Sequence, residues 1–354
     1  MESPHRIILT AAESTTGIGN YVADLLRMQD LDTTTYSFIM NRESKDEMFF
    51  GTKFHGLKIP ITKNGWYINV RFQKFVFRKV ISMLRELYDS MNVIYHYSDY
   101  SLRSFTPVDN SCLTLHDFFG VLKKYPYKYG NWFTEKFKHK KLEEFKSYKY
   151  LIADSKRTAL DAEEYGFESK AMVIYPPLRE HIVRLQNKQE LRNKWGIPID
   201  KKIVLSISSD DPRKNLSTIS KTMSILGDQF ILLRVGSNLP NAINFSNLSP
   251  NDVNELYNSS DVLLFPTLAE GFGYPLIEAM AIGLPIVTSD IEITREVCGD
   301  AAIFVDPDSP SCKEGVIEAI ANKEELLNSG IRQSKKFEFD RFCRSMLRLY
   351  ERMS

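Results

Sequence analysis

No part of the chain constrains its fold more than the stretch 261–290, DVLLFPTLAEGFGYPLIEAMAIGLPIVTSD. Its apolar run from Val262 to Phe265 predicts a short buried strand of a parallel sheet. The segment from Leu276 to Ile282 predicts a helix that ends at Gly283, and a second strand begins at Ile286. Strand, loop, helix and strand form a βαβ unit, whose loop lies at the carboxyl edge of the sheet, where open α/β folds bind ligands.

The loop of this unit is suited to binding an anion. Pro275 fits the first position of the helix, because its fixed φ angle is helical and its missing N–H is not needed there. The backbone amides of Phe272, Gly273 and Tyr274 should then point out of the helix N-terminus. Together with Gly271, these amides predict a site for phosphate.

Two acidic residues belong to the same unit: Glu270 lies in the loop, and Glu278 lies about one turn into the helix. A carboxylate next to phosphate is unfavourable unless it accepts hydrogen bonds from neutral hydroxyl groups. A nucleoside diphosphate sugar has its phosphates between two hydroxyl-rich sugars and therefore meets this condition. Taken alone, the pair is equally compatible with two solvated acids at the start of a helix.

The composition is that of a soluble globular protein. The length of 354 residues suggests two domains, and a net charge of +1 gives no support to nucleic acid as the main partner. The four cysteines form no CxxC pair and have no histidine at zinc-ligand spacing, so we expect reduced thiols in a cytosolic protein and no bound metal. No stretch is apolar enough to span a membrane, and the first apolar run is too short for a signal peptide. These features predict a cytoplasmic chain, attached at most to a membrane face.

Two segments of the first half mix basic and aromatic residues. Residues 64–88 intersperse basic with apolar side chains, and residues 119–149 hold nine lysines, three glutamates and nine aromatic residues. This mixture suits peripheral contact with an anionic membrane surface or a lipid-phosphate acceptor. A pair of ordinary amphipathic helices with solvated lysines is the alternative.

A glycine-bearing turn is predicted near the N-terminus. The strand Ile7 to Ala11 leads into a polar turn with Gly17 and Gly19, and a helix follows from Tyr21 to Met28. Glycine allows the backbone to approach a ligand closely. Because Val22 occupies the third glycine position, this turn is not the dinucleotide-binding fingerprint.

A histidine directly follows the predicted strand 112–115. At the carboxyl end of a strand, His116 can donate a hydrogen bond to a ligand or respond to charge near pH 7. Its neighbour Asp117 either orients the imidazole or approaches an acceptor. For the position taken alone, a structural histidine is the alternative.

The domain boundary is predicted at two prolines. Pro176 and Pro177 follow a strand and make a stiff exit from it, so the domains are predicted at 1–176 and 177–335, with a final helical segment at 336–354.

The second domain has a basic turn after its first predicted strand, 203–207. Arg213 and Lys214 lie at a helix entrance within the sequence PRKNL, where cations suit a pyrophosphate. Exposed basic pairs are more often only solvated.

Several of these motifs together resemble the retaining glycosyltransferases of family 4. The resemblance is carried by the Glu270-x7-Glu278 spacing, the EGFG loop, PLIEAMAIGLPIVTSD and GDAAIFVDP, and is densest from 203 to 307. It implies the GT-B fold, in which two Rossmann-like doubly wound α/β domains face each other across a cleft. The donor would bind to the second domain and the acceptor to the first, and the C-terminal helix would return to the first domain.

The resemblance also implies roles for the basic and glycine residues. Lys214 would bind the leaving diphosphate, with Arg213 second, and Gly17 and Gly19 would face the donor. Ser209 departs from the family pattern, because many members have an additional arginine there.

Further roles follow for the residues around the donor. His116 would lie beside the transferred sugar, Glu270 would accept hydrogen bonds from its hydroxyls, and Glu278 would accept them from the ribose. The loop 244–248, which contains Ser246, would contact the nucleobase, although Ser246 replaces the more usual glycine and leaves the base open.

The implied reaction is transfer of a hexosyl group, with retention, from a nucleoside diphosphate sugar to a hydroxyl of a glycan or lipid-linked glycan. No protein nucleophile is obvious, so we expect a front-face transfer without a metal or other cofactor, in which the departing phosphate oxygen helps to deprotonate the acceptor. A GT-B sugar-nucleotide epimerase or hydrolase and a catalytically silent binding subunit are the alternatives. A redox dinucleotide enzyme is the least favoured, because the third glycine is missing.

Overall fold

The computed structural model describes residues 5–10, 17–28, 33–37, 93–98, 110–119, 122, 143, 146 and 148–353. The basic aromatic segment 64–88 lies outside the described residues, and so does most of the segment 119–149. The chain forms two compact units, one made of residues 1–176 with 342–354 and the other of residues 177–341. The first break falls between the two prolines of the predicted boundary, whereas the second unit ends at Arg341 rather than at 335.

The first unit contains a parallel sheet whose described strands have the order β2-β1-β3-β4-β5-β6. The strands are β1 (His5–Thr10), β2 (Thr33–Ser37), β3 (Val93–Tyr97), β4 (Ser111–Leu115), β5 (Tyr150–Ala153) and β6 (Met172–Val173). The described helices of this unit are α1 (Gly17–Leu26) and α2 (Lys156–Tyr165). Most of the C-terminal helix α10 (Phe339–Met353) also belongs to it. β3 and β4 are buried along their whole length, and their polar residues His96, Ser111 and Thr114 are buried together with the apolar ones.

The predicted start of α1 at Tyr21 is wrong. The helix begins at Gly17, so Gly17 and Gly19 form its first turn instead of a loop. Tyr21, Val22 and Leu25 form its buried face, and Gly19 is buried with them. Two glycines lower helix propensity, but packing of an amphipathic helix against a sheet overrides that cost.

A buried chain of polar side chains holds α10 in the first unit. His96, which is fully buried, lies 2.7 Å from the Tyr350 hydroxyl through Nδ1 and 2.7 Å from Thr114 Oγ1 through Nε2. The hydroxyl of Tyr21 lies 3.1 Å from the same threonine oxygen. The apolar residues of α10 at helical spacing are buried beside this chain, as its sequence predicts: Phe342, Met346, Leu349 and Tyr350.

The second unit has a parallel sheet in the order β12-β11-β10-β7-β8-β9. Its strands are β7 (Lys202–Ser208), β8 (Phe230–Gly236), β9 (Ala242–Phe245), β10 (Val262–Phe265), β11 (Ile286–Ser289) and β12 (Ile303–Val305). Numbered by their order in this unit and read across the sheet from the β9 edge, the strands run 3-2-1-4-5-6, which is the doubly wound arrangement. The chain therefore reverses its direction of winding between the neighbouring strands β7 and β10.

Seven α-helices accompany this sheet within the described residues 177–341. They are α3 (Lys188–Lys194), α4 (Leu216–Leu226), α5 (Pro250–Ser259), α6 (Tyr274–Ile282), α7 (Glu292–Cys298), α8 (Ser309–Ala321) and α9 (Lys323–Ser334). In one core cluster, Val204, Val262 and Val287 of the sheet pack with Ile219 of α4 and Val316 of α8. This packing leaves the carboxyl edge of the strands, where the predicted loops lie, outside the apolar core.

β9 shows where the sequence prediction fails in this unit. Residues 244–248 are predicted as a loop, but Asn244 and Phe245 belong to the strand. The strand is only half-buried and lies at the sheet edge, so it lacks an apolar pattern that would indicate it. Asn244 instead bonds the backbone of the preceding turn, accepting from Leu239 N at 2.9 Å.

Candidate functional site

The reversal between β7 and β10 brings two predicted loops together. The loop after β7 contains Arg213 and Lys214, and the loop after β10 contains Glu270. Because the two strands are parallel neighbours, their carboxyl ends meet at one edge of the sheet. Ligands of open α/β sheets bind at such a reversal point.

The loop after β7 is shaped by short-range bonds. Residues 212–214 form a 3₁₀ turn, and the Asp211 carboxylate accepts from the Arg213 amide at 2.9 Å at its start. Asn215 has a left-handed φ of 55° and donates its side-chain amide to the Pro307 carbonyl at 2.9 Å. Asn and Asp suit these positions because they bond their own turns and tolerate left-handed backbone. The loop is therefore fixed before α4 begins at Leu216.

Lys214 and Glu270 form an ion pair at the centre of the site. The distance from Lys214 Nζ to Glu270 Oε1 is 2.5 Å, and the two side chains are 14% and 7% exposed. The Thr267 hydroxyl donates to the same carboxylate oxygen at 2.9 Å, and the ammonium lies 5.4 Å from the centre of the Phe265 ring. The structure thus places a cation and a carboxylate, predicted for phosphate and for sugar hydroxyls, in direct contact.

Arg213 bonds both loops. Its guanidinium pairs with Asp211, with Nε at 3.1 Å from Oδ1, and it donates to the Ala269 carbonyl at 3.3 Å. The Arg213 carbonyl accepts from the Leu268 amide at 2.7 Å. A side chain with these contacts holds the two loops in register, in addition to any contact with a ligand.

The entrance to α6 differs by one residue from the prediction. The helix begins at Tyr274, so Pro275 is its second residue, because Gly273 takes a left-handed φ of 100° and ends the loop there. As the N-cap, Gly273 has no side chain to bond the first helical amides. The side chain of Phe272 is buried, and its ring makes edge-to-face contacts with the rings of Tyr274 and Phe337. Only the backbone of Phe272 is therefore suited to the predicted role.

Glu278 is a buried carboxylate with two protein neighbours. The Tyr257 hydroxyl donates to Oε2 at 2.7 Å, and Arg179 Nη1 lies 3.1 Å from Oε1. The arginine contact is an ion pair without hydrogen-bond alignment, and Oε1 accepts no hydrogen bond from the described residues. Burial, followed by the negative charge of Glu278, raises the pKa of Tyr257 well above its ordinary value, so this hydroxyl stays a donor. The spare acceptor at Oε1 is what a ribose hydroxyl requires.

Arg179 also stacks on an aromatic ring of the site. Its guanidinium carbon lies 4.7 Å from the centre of the Tyr274 ring. Neither Arg179 nor Tyr257 is marked by a motif in the sequence.

The residue predicted to face the base, Ser246, is exposed directly after β9, at the same edge of the sheet.

In the first unit, His116 follows β4 as predicted. Its Nε2 donates to the Ser98 carbonyl at 2.8 Å, and its Nδ1 lies 3.3 Å from the Asp154 carboxylate. Burial raises the pKa of Asp154, and hydrogen bonding to His116 opposes that rise. Asp117 accepts from the Phe119 amide at 3.1 Å, which stabilises the turn after β4. Both ring nitrogens of His116 are therefore engaged inside the unit, and a bond to a sugar would require one of them to exchange its partner.

The described residues contain neither a candidate metal centre nor a candidate membrane span. No group of three or more His, Cys, Asp and Glu side chains there could hold a metal ion. Within the same residues, no helix has both the length and the apolar character needed to cross a membrane.

Comparison with known proteins identifies relatives of this chain. The profile of the family described as Glycosyl transferases group 1 matches residues 187–337. O-antigen chain mannosyltransferase RfbU of Salmonella typhimurium is 26% identical over 152 residues, which cover 38% of this chain and 43% of RfbU. Lipopolysaccharide glucosyltransferase WaaG of Escherichia coli K12 is 28% identical over 219 residues, or 56% of each chain. The matches therefore span about half the length of these curated relatives.

Solved structures show the same fold. Anabaena Alr3699/HepE, in a crystal structure with UDP and glucose, superposes with a TM-score of 0.74, 13% identity and coverage of 96% of this chain and 97% of its own. At that identity the likeness concerns the fold alone.

Proposed function

We propose that the chain is a hexosyltransferase of family 4, because the Glycosyl transferases group 1 profile matches residues 187–337 and the chain has the GT-B fold. The donor is a nucleoside diphosphate sugar, and the acceptor is a hydroxyl of a glycan or lipid-linked glycan. The relatives support this substrate class, because RfbU is a mannosyltransferase and WaaG a lipopolysaccharide glucosyltransferase. The fold neighbour HepE, with UDP and glucose, supports a nucleoside diphosphate as the leaving group.

The observation that carries the proposal is the Lys214–Glu270 pair at the reversal point of the sheet. Transfer of a glycosyl group builds negative charge on the leaving diphosphate while the sugar becomes oxocarbenium-like. In the proposed reaction Lys214 stabilises the diphosphate, and Glu270 accepts hydrogen bonds from the sugar hydroxyls; their contact at this edge of the sheet supports both roles. When a donor binds, it inserts its phosphate beside the ammonium, and the ion pair opens to engage both halves of the ligand.

The proposed transfer retains the anomeric configuration and needs no metal. The leaving phosphate oxygen takes the proton of the acceptor hydroxyl on the same face of the sugar. Lys214 and the amides around Gly271 stabilise the charge on that phosphate, and Glu278 holds the ribose. We expect full turnover in excess EDTA; a strict requirement for Mg²⁺ or Mn²⁺ would refute the metal-free mechanism.

The test of the function is a thermal-shift screen of the full chain with UDP-, GDP-, ADP- and dTDP-sugars, followed by product analysis with the donor that stabilises it. We expect one nucleotide class to raise Tm, and Lys214→Ala to lower kcat severely. The matched control is Lys221→Ala, which replaces an exposed lysine on α4 and should leave kcat unchanged. Normal turnover by Lys214→Ala would remove this lysine from the site, and release of free sugar or an epimer from donor alone would favour a hydrolase or epimerase.

A further inference from the structure

Arg234 is a fully buried arginine in the second unit. It lies in β8 and has an exposed fraction of 0%. Its guanidinium donates to neutral oxygens only: the carbonyls of Ser206, Ser208, Ser209 and Ser237 and the hydroxyls of Ser206 and Ser208. The shortest of these bonds runs from Nη2 to the Ser208 carbonyl at 2.6 Å.

This cation has no carboxylate at ion-pair distance within the described part of the chain. Arg192, another buried arginine of this unit, differs in this respect: it is 5% exposed, and its guanidinium pairs with the Asp261 carboxylate at 2.7 Å. Burial lowers the pKa of Arg234 to about 10, and the charge of the exposed Asp210 opposes that shift. Arg234 is therefore protonated at neutral pH. A buried charge is unfavourable when only neutral acceptors offset it, so an anionic ligand beside Arg234 would be stabilised by this charge.

The position of Arg234 relates it to the phosphate loop. Ser208 ends β7 and Ser209 begins the loop that contains Lys214, so the guanidinium lies beneath the entrance of this loop. The backbone is closely packed there, because a Cβ atom at Gly236 would lie 2.1 Å from the Ser208 carbonyl oxygen and 3.0 Å from Arg234 Nη2. The cation is thus rigidly held at the carboxyl ends of β7 and β8, beside the reversal point of the sheet.

We propose that Arg234 is a positioning residue of the donor site, whose uncompensated charge attracts the diphosphate while its hydrogen bonds fix the first peptide groups of the phosphate loop. This inference rests on the proposed function, because it requires a diphosphate at that loop. In this role Arg234 favours a polyanionic phosphate ester over the corresponding neutral nucleoside. A purely structural arginine would not discriminate between the two.

The test is isothermal titration calorimetry with the nucleoside diphosphate found in the screen, with its nucleoside, and with inorganic pyrophosphate. The variants are Arg234→Gln, which removes the charge, Arg234→Lys, which keeps it, and the control Arg192→Gln. We expect Arg234→Gln to bind the diphosphate and pyrophosphate at least tenfold more weakly, with nucleoside affinity changed less than threefold. Arg234→Lys should keep diphosphate affinity within threefold of the wild type, and Arg192→Gln should lower Tm without changing diphosphate affinity.

Folded Arg234→Gln with unchanged diphosphate affinity, or with equal losses for diphosphate and nucleoside, overturns the inference. If Arg234→Gln does not fold, Arg234→Lys decides: a tenfold loss of diphosphate affinity overturns the role of the charge, and retention supports it. A wild-type chain that binds none of the diphosphates refutes the proposed function itself, so the two failures are distinguishable.

Discussion

Glu278→Gln separates ribose binding from fold stability. The variant keeps the shape of the side chain and an oxygen that can accept from the Tyr257 hydroxyl, which donates at 2.7 Å in the wild type. It removes the charge that faces Arg179 and replaces one carboxylate oxygen with an amide donor. If Oε1 is the acceptor of a ribose hydroxyl, the main loss is in nucleotide affinity.

The size of that loss follows from the surroundings of the carboxylate. The Glu278 side chain is 4% exposed, so water screens it little, and a hydrogen bond to a charged acceptor contributes about 1.5–3 kcal/mol. That free energy corresponds to a roughly 10- to 150-fold loss of nucleoside diphosphate affinity. Stability should fall by only about 1 kcal/mol, because Arg179 is partly exposed to water at 23% and can be solvated when its partner is lost.

Tyr257→Phe is the matched control. It removes the donor to Oε2 and leaves a buried carboxylate oxygen unsatisfied, which should cost about 1–3 kcal/mol of stability. Because it does not touch Oε1, nucleotide affinity should change much less than in Glu278→Gln. The two variants therefore shift stability and affinity in opposite proportions.

The assay combines guanidinium denaturation with calorimetric titration of the nucleoside diphosphate and of its 2′,3′-dideoxy analogue. Wild-type protein should bind the analogue more weakly, and Glu278→Gln should bind both with similar affinity, since the group that senses the hydroxyls is gone. Equal losses for the two ligands in Glu278→Gln would show that this carboxylate does not contact the ribose.

Two further predictions concern the other carboxylates. In a double-mutant cycle, Lys214→Met and Glu270→Gln should each lower the free energy of unfolding by about 2–4 kcal/mol, because each single variant leaves one largely buried group without its partner. The double variant should cost about 2 kcal/mol less than the sum of the two. Additive costs in urea denaturation would mean that the pair is not coupled. For Asp154, burial raises the pKa of the folded carboxyl, so the folded state binds its proton more tightly and the group's contribution to stability falls as pH rises above about 4. Asp154→Asn should therefore gain stability relative to wild type between pH 4 and pH 7, and a constant or shrinking difference would contradict the assignment.

Local signals in the sequence predict several elements closely. The helix α2 runs from Lys156 to Tyr165 as predicted, and the Ser155 side chain caps it by accepting from the Thr158 amide. The strand β10 and the C-cap Gly283, with its left-handed φ of 75°, also lie where the sequence puts them. These features depend on interactions within a few residues, so a single sequence contains what determines them.

The pairing of Lys214 with Glu270 depends on more than local signals. The two residues are 56 positions apart, and they meet because β10 adds to the sheet beside β7 rather than at its edge. Motif and resemblance predict a role for each residue, but neither predicts that the cation and the carboxylate bond each other without a ligand. The early start of α1 has a similar cause, since burial of its face outweighs the low helix propensity of two glycines.

Arg234 does have a signal in the sequence, although no motif includes it. The strand FILLRVG is apolar at its centre except for one arginine, in a sheet whose strands are covered by helices on both faces. A charge at such a position must be exposed at a strand end, paired with an acid, or reserved for a ligand. Arg234 is fully buried and has no acid partner among the described residues, so its charge is offset only by neutral carbonyl and hydroxyl oxygens. It lies at the same edge of the sheet as Lys214, which supports the proposed role toward an anionic ligand. An isolated cation in an apolar strand beside a reversal point of an open α/β sheet is therefore itself an indication of an anionic ligand.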